Sequence, residues 1–395
     1  MGKIFKSLAL AVVCIFLLKG PASAEDTLLL FKDIEVHGFA STSYNFNFHN
    51  PQNPTNGNSQ NRVYDRESNT FRFDNGELVL VKETPKVGEV GFRTDLNFGS
   101  SYPGINASNG GLGNANGARV DDFDVQQGYV SYNAPIGSGL QIDMGKFATH
   151  IGAELMSGHD GWNYNHSRSH LFGFANPFVH AGVRAGYSIN DDLSVLGMIA
   201  NDPLGQEVDN NTGKAYGFQV AYSGLNNVSI VLNWAGGNTA GNTNGNTVDL
   251  AWANFWDSVI DIGLTDKTLL QLNIDYANQE GSSNYTAGDD AEWWGASGIL
   301  RHDCSDWFSM NFRAEFFSDM HGTRTSLNTT FGANKDRGQK LFSFTVTPEF
   351  RISQNLLFRV EYRHDDSTAM AFMDQNNNQL NSSQDTMAAQ ALFHF

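Results

Sequence analysis

Phe308-Ser309-Met310-Asn311-Phe312-Arg313-Ala314-Glu315-Phe316 alternates apolar and polar side chains without a break. Successive side chains of a β-strand point to opposite faces, so this stretch reads as a strand with one face for an apolar medium and the other for water. The pattern returns downstream, where Phe342, Phe344, Val346, Phe350 and Ile352 oppose Ser343, Thr345, Thr347, Glu349 and Arg351. It returns again where Leu356, Phe358, Val360 and Tyr362 oppose Arg359, Glu361 and Arg363. Upstream, Val90, Phe92, Thr94, Leu96 and Phe98 oppose Glu89, Arg93, Asp95 and Asn97, and weaker versions run over 181–189, 216–222, 228–234 and 270–276. The chain holds about sixteen such segments, an even number, as a single-chain bacterial barrel requires.

The connections alternate in length. Short turns are expected at 83–86, 133–139, 190–192, 224–227, 303–306 and 353–355. Between them lie long loops rich in Asn, Gly and Ser, at 50–69, 100–121, 148–179, 202–213, 236–246, 278–290, 319–336 and 365–385. Outer-membrane barrels keep short turns at the periplasmic end and long loops outside, whereas a soluble sandwich has no reason to segregate them. The fold expected is an all-β, antiparallel up-and-down transmembrane barrel.

Lys3 and Lys6, an apolar run from Leu8 to Leu18, and Ala22-Ser23-Ala24 before Glu25 have the layout of a cleavable secretory signal. Residues 1–24 are therefore expected to be removed and 25–395 to form one barrel domain. Cys14 lies inside the apolar run, so the mature chain keeps Cys304 alone, which excludes an internal disulfide and a cysteine-based zinc site. Removal of three lysines leaves 22 basic against 42 acidic residues, a net of −20, which excludes nucleic acid as a partner. Charged residues are 17% of the chain and Phe is abundant, yet no long apolar run follows Glu25. A chain that spans lipid without helices must close into a barrel, because each unpaired backbone group there costs several kcal/mol.

The last segment places Met387, Ala389, Ala391, Phe393 and Phe395 on one face, and a terminal aromatic on such a strand matches the signal read by the barrel-assembly machinery. A soluble protein gains nothing by ending in exposed Phe residues. Gly145-Lys146-Phe147-Ala148-Thr149-His150-Ile151-Gly152-Ala153-Glu154 is followed by Trp162-Asn163, Ser167-Arg168-Ser169, Pro177-Phe178 and His180-Ala181-Gly182-Val183-Arg184. With these, and with His37-Gly38-Phe39, the stretch from Phe71 to Val79, and Gly91 to Leu96, the chain resembles the OmpL-like β-barrel porin family. The resemblance covers essentially the whole mature chain, and its distinctive part is 145–182. It implies a pore and carries no catalytic residues.

The loop 148–179 is the third external loop, which in general porins folds into the barrel and narrows it. Loops of that length usually have a task. Glu154, Asp160, Arg168, His170 and, from the wall, Arg184 are the expected constriction residues. Two readings stand together: Glu154 and Arg168 set a field opposed by Arg184, or they pair to fold the loop. His166 and His170 have metal-ligand spacing only on a helix and lack a third carboxylate ligand, so they are read as solvated loop residues. Asp374, Asn376 and Asn378 lack the Gly and Glu of a calcium loop. His364-Asp365-Asp366 sits at a strand end and reads as a solvated rim rather than a protease pair. No cofactor, metal or enzyme activity is expected.

Arg93, Asp95, Arg313, Glu315, Glu349, Arg351, Arg359, Glu361 and Arg363 are the expected lumen wall, mixed in sign. Acidic loops, with Asp121, Asp122, Asp289 and Asp290, should mildly enrich cations at the mouth. Trp234, Trp252, Trp256, Trp293, Trp294, Trp307 and Tyr362 are assigned to an aromatic girdle at the headgroup level. The function expected is passive diffusion of small hydrophilic solutes across the outer membrane of a Gram-negative cell, with both termini periplasmic. The partners expected are outer-membrane lipid and lipopolysaccharide, the solutes and the assembly machinery, with self-association left open. The alternatives are a non-conducting barrel whose loops bind a partner surface, a barrel enzyme and a soluble secreted β protein.

Overall fold

The computed structural model describes residues 33–52, 62–101, 123–156, 158, 163–205, 212–240, 250–282, 289–325, 338–376 and 379–395. The signal segment 1–24, with Cys14, and Asp121, Asp122, Asp160, Trp162 and Asn378 lie outside them. The first half of the sheet is β1 (Glu35–Asn47), β2 (Thr70–Lys82), β3 (Val90–Phe98), β4 (Phe123–Ala134), β5 (Leu140–Ala148), β6 (Val179–Ser188), β7 (Leu193–Ala200) and β8 (Ala215–Leu225). The second half is β9 (Val228–Ala240), β10 (Leu250–Thr265), β11 (Thr268–Gln279), β12 (Ala291–Ser305), β13 (Phe308–Asp319), β14 (Gln339–Arg351), β15 (Leu356–Ser367) and β18 (Ser383–His394). Each strand pairs antiparallel with its neighbour, and β18 pairs with both β15 and β1, closing a barrel of 16 strands. Closure leaves no sheet edge and so no row of unpaired N–H and C=O groups facing lipid.

The period-two pattern sets the faces as expected. On β13, Ser309, Asn311, Arg313 and Glu315 are buried inside the barrel, and on β14 and β15 Phe342, Phe344, Phe358 and Tyr362 are exposed on its outside. The short connections all lie at one end with the start of β1 and the end of β18, and the long loops lie at the other. A further short turn, Asp266-Lys267, joins β10 to β11. Asn226-Asn227 joins β8 to β9, and Asn227 takes φ 59°, the left-handed conformation such a hairpin needs and Asn tolerates.

Several of the long loops are shorter than the sequence pattern suggests. β9 runs on to Ala240, β11 to Gln279, β15 to Ser367, and β18 starts at Ser383. The last long loop also carries a small hairpin of its own, β16 (Phe372–Met373) and β17 (Gln379–Asn381), in the stretch read as plain loop.

Candidate functional site: the lumen and its inward loop

The third long loop, 149–178, turns inward and is held by backbone groups that the wall satisfies. Glu361 on β15 accepts the amides of His166 and Ser167 at 2.6 and 3.0 Å, and Glu315 on β13 accepts that of Leu171 at 3.2 Å. Arg313 donates to the Ser167 carbonyl at 2.6 Å, and Arg363 donates to the Arg168 carbonyl at 2.5 Å. An irregular segment inside a membrane barrel needs such partners for its peptide groups, and here the wall's charged side chains supply them.

Glu154 accepts from the Ser169 amide and hydroxyl and from Arg313 at 3.0 Å. Arg168 does not pair with Glu154. It donates to the carbonyls of Leu155, Met156 and His166 at 2.8–3.0 Å and lies over the Tyr64 ring. Arg168 therefore folds the loop, while Glu154 docks it onto the wall. His170 hydrogen-bonds Asp365 at 3.2 Å and stacks on Phe174, and His166 hydrogen-bonds Asn45 at 3.1 Å. Both histidines are buried, not solvated, because the loop carries them into the lumen.

Other loops join the plug. From the first, Arg62 donates to Asp365 at 2.6 Å and to Thr386, and also pairs with Asp65. Burial works against the Arg62 charge, but Asp365 and Asp65 outweigh it and hold the guanidinium's proton above the usual range. Burial likewise opposes the Asp65 charge, and Arg62, Arg363 and His166 overcome it, holding that carboxyl below its usual range. At the loop's root, burial, then His180 and Arg184, push His150 down to about 3.

An apolar layer lines the lumen at the long-loop end of β9–β14. Ala235, Phe255, Ala277, Trp293, Phe317 and Leu341 point inward there. Ile151, Leu171 and Ala175 of the third loop and Ala371 and Phe372 of the last loop cover them. Leu171–Ala175 forms one π-helical turn at this contact. Trp293 thus departs from the girdle assignment: it is fully buried inside the barrel, with Arg324 over its ring at 5.3 Å. Trp252, Trp256, Trp294 and Trp307 are exposed on the outside.

Among the expected constriction residues, Glu154, Arg168 and His170 come together with Arg313, Glu315, Glu361 and Arg363 of the expected wall. Arg184 stands apart on β6, bonded to Asp143 at 2.9 Å and lying over Phe147 and Tyr129. Arg93 grips Asp95 at 2.8 Å, and Arg359 and Arg301 share Glu349 at 2.6 and 3.1 Å. Arg351 shares the inward face with Glu349 but lies at the short-turn end of β14, exposed, and donates to the Asp306 turn carbonyl at 3.0 Å. The triplet 364–366 splits across the sheet. Asp365 faces in, whereas His364 and Asp366 face out beside Asp385. Sequence reasoning missed Arg62, Asp65, Phe372 and the inward role of Trp293. The signals available were charge in one polar loop and the apolar run Ala371-Phe372-Met373 in another.

The family model described as "Putative beta-barrel porin-2, OmpL-like" matches residues 33–395. No curated protein matches the sequence. Among solved structures, the outer membrane channel DcaP of Acinetobacter baumannii superposes with a TM-score of 0.59 at 10% identity, over 92% of this chain and 97% of that one. A trimer form of the outer membrane protein OmpT of Vibrio cholerae gives 0.57 at 11% identity, over 92% and 99%. The anion-selective porin from Comamonas acidovorans gives 0.56 at 10% identity, also over 92% and 99%. At these identities the likeness speaks for the fold.

Proposed function

The chain belongs to the OmpL-like family of β-barrel porins, and on that footing we propose how its lumen works: small hydrophilic solutes diffuse through a water-filled passage that the third external loop narrows. The observation that carries this is the docking of 149–178 onto the wall through Glu154, Arg313, Glu361 and Arg363. A loop held there fills the lumen beside β13–β15 and β1. Solutes are left the side beside β3–β6, where Arg93, Asp95, Asp143 and Arg184 stand.

The short-turn end, with both termini, faces the periplasm, and the long loops face outward among lipopolysaccharide. Residues 1–24 direct export, and Phe393 and Phe395, exposed on the outer face of the last strand, present the signal for barrel assembly. Self-association fits this fold, given the trimer form of the V. cholerae protein. The protein does no covalent chemistry in this reading.

The mature charge of −20 and the exposed Asp289 and Asp290 at the mouth favour cations over anions. Reversal potentials across a planar bilayer in a salt gradient test this. A cation-selective sign is expected, and clear anion selectivity overturns the preference. The apolar layer under the loops favours one other reading, a closed barrel whose loops bind a partner surface. Single-channel recording separates the two: discrete conductance steps belong to the pore, and silence belongs to the closed barrel.

A further inference from the structure

Most carboxylates buried in this lumen sit on an arginine: Asp95, Asp143, Glu154, Glu315 and Glu349 each have one. Asp257 on β10 and Asp275 on β11 depart from that rule. They are register partners on the inner face, next along their strands to Phe255 and Ala277 of the apolar layer, and only 4% and 1% exposed. A single amide nitrogen, Asn273 Nδ2, reaches an oxygen of both carboxyl groups. Among the described residues, no Lys or Arg forms an ion pair with either.

Amides organise the pair instead. Asn233 Nδ2 donates to Asp257 Oδ2 at 2.6 Å, and Asn273 Nδ2 donates to Asp257 Oδ1 at 2.5 Å and to Asp275 Oδ1 at 3.0 Å. The Asn273 carbonyl oxygen accepts the Ala153 amide of the third loop at 3.2 Å, which ties the pair to the docked loop. Asp275 Oδ2 has no partner. Two carboxylates this close and this buried repel each other and have lost most of their hydration, so a positive charge must stand between them or one must give up its own.

We propose that Asp257 and Asp275 bind a hard divalent cation in the lumen wall, beside the root of the third loop. The free Asp275 Oδ2 and the Asp257 carboxylate supply the anionic oxygens, and water completes the shell, as is usual for ions held by two carboxylates. The donors are oxygen only, with no thiolate or imidazole, which selects Ca²⁺ or Mg²⁺ over Zn²⁺ or copper. Asp261 lies on the same face of β10, roughly 13 Å nearer the short-turn end at ordinary strand rise. Its Oδ1 is likewise without a partner. In a conducting barrel, the role that rests on the porin reading, the bound ion holds the root of the third loop to the wall through Asn273, and Asp261 stands next along the same face.

The test is calorimetric titration of CaCl₂ into the full folded chain in detergent at neutral pH, comparing wild type with D275N and D257N. Acidic loops give a background common to all three. Wild type should show one further site, with a dissociation constant on the order of 10⁻⁴–10⁻³ M, that both variants lack. Identical titrations overturn the site. So does an infrared band of a protonated carboxyl that persists in wild type at saturating Ca²⁺ and vanishes in D275N, because the pair then shares a proton. If Ca²⁺ binds wild type alone and no conductance is seen, the pore reading fails and the site stands. Heat-modifiable gel mobility verifies folding, and if D275N does not fold, D257N carries the comparison.

Discussion

Arg313 is where loop and wall meet: one guanidinium, fully buried, holds Glu154, the Ser167 carbonyl and the Ser167 hydroxyl. Removing one partner of such a buried pair strands the other's charge, at a cost of about 3–5 kcal/mol. Arg313→Ala should therefore lower the urea midpoint in detergent and make the open channel noisier as the loop undocks. His150 adds a pH dependence. Its ring nitrogens are shielded from water, and its folded value near 3 lies below the roughly 6.5 of an unfolded imidazole. Between those values the undocked chain takes up a proton that the docked one refuses, so docking weakens as pH falls through that window and is unaffected above it. Current noise between pH 7 and pH 5 measures this, and His150→Asn should flatten it. Facing is testable at single positions too. Phe312→Arg should cost roughly 2–4 kcal/mol near the bilayer midplane, and assembly should survive Gln271→Arg on the lumen side.

Strands were legible from sequence wherever hydrocarbon meets one face and water or protein the other, as in β3, β13, β14 and β15. Their outer ends were not. Beyond the hydrocarbon band both faces of a strand meet polar surroundings, so the alternation fades, as in Ala235-Gly236-Gly237-Asn238-Thr239-Ala240 of β9. Closure shows a local requirement in the same terms. Gly38 and Phe395 exchange backbone hydrogen bonds at 3.0 Å, and a Cβ on Gly38 would stand 2.1 Å from the Phe395 ring. Gly145, in β5, takes φ 144° with a Cβ position 2.3 Å from the Gly128 carbonyl oxygen, so a side chain there must distort the β4–β5 pairing. Gly38→Val and Phe395→Ala should each reduce the fraction of chain that reaches the heat-modifiable form. Equal yields in both would remove the last strand's aromatic end from the assembly reading.

The lumen as a whole is divided: loops fill one side, and charged pairs on β3–β6 border the other. A liposome swelling series with sugars of increasing size should give a sharp cut-off in wild type. The cut-off should move to larger sugars in Arg313→Ala, which frees the loop. An unchanged cut-off would mean the third loop does not set the limiting width.

Sequence alone determined the barrel, its strand count to within about two, the segregation of short turns from long loops and the face of nearly every wall residue. Each of these follows from the contrast between neighbouring side chains on one strand, and that contrast is local. Tertiary structure decided which charges meet. Glu154 finds Arg313 across 159 positions of chain, Arg62 finds Asp365 across 303, and Trp293 turns from a lipid girdle into a lumen core. Partners inside a closed cylinder are chosen by where a long loop folds back, and the period of the strands carries no record of that.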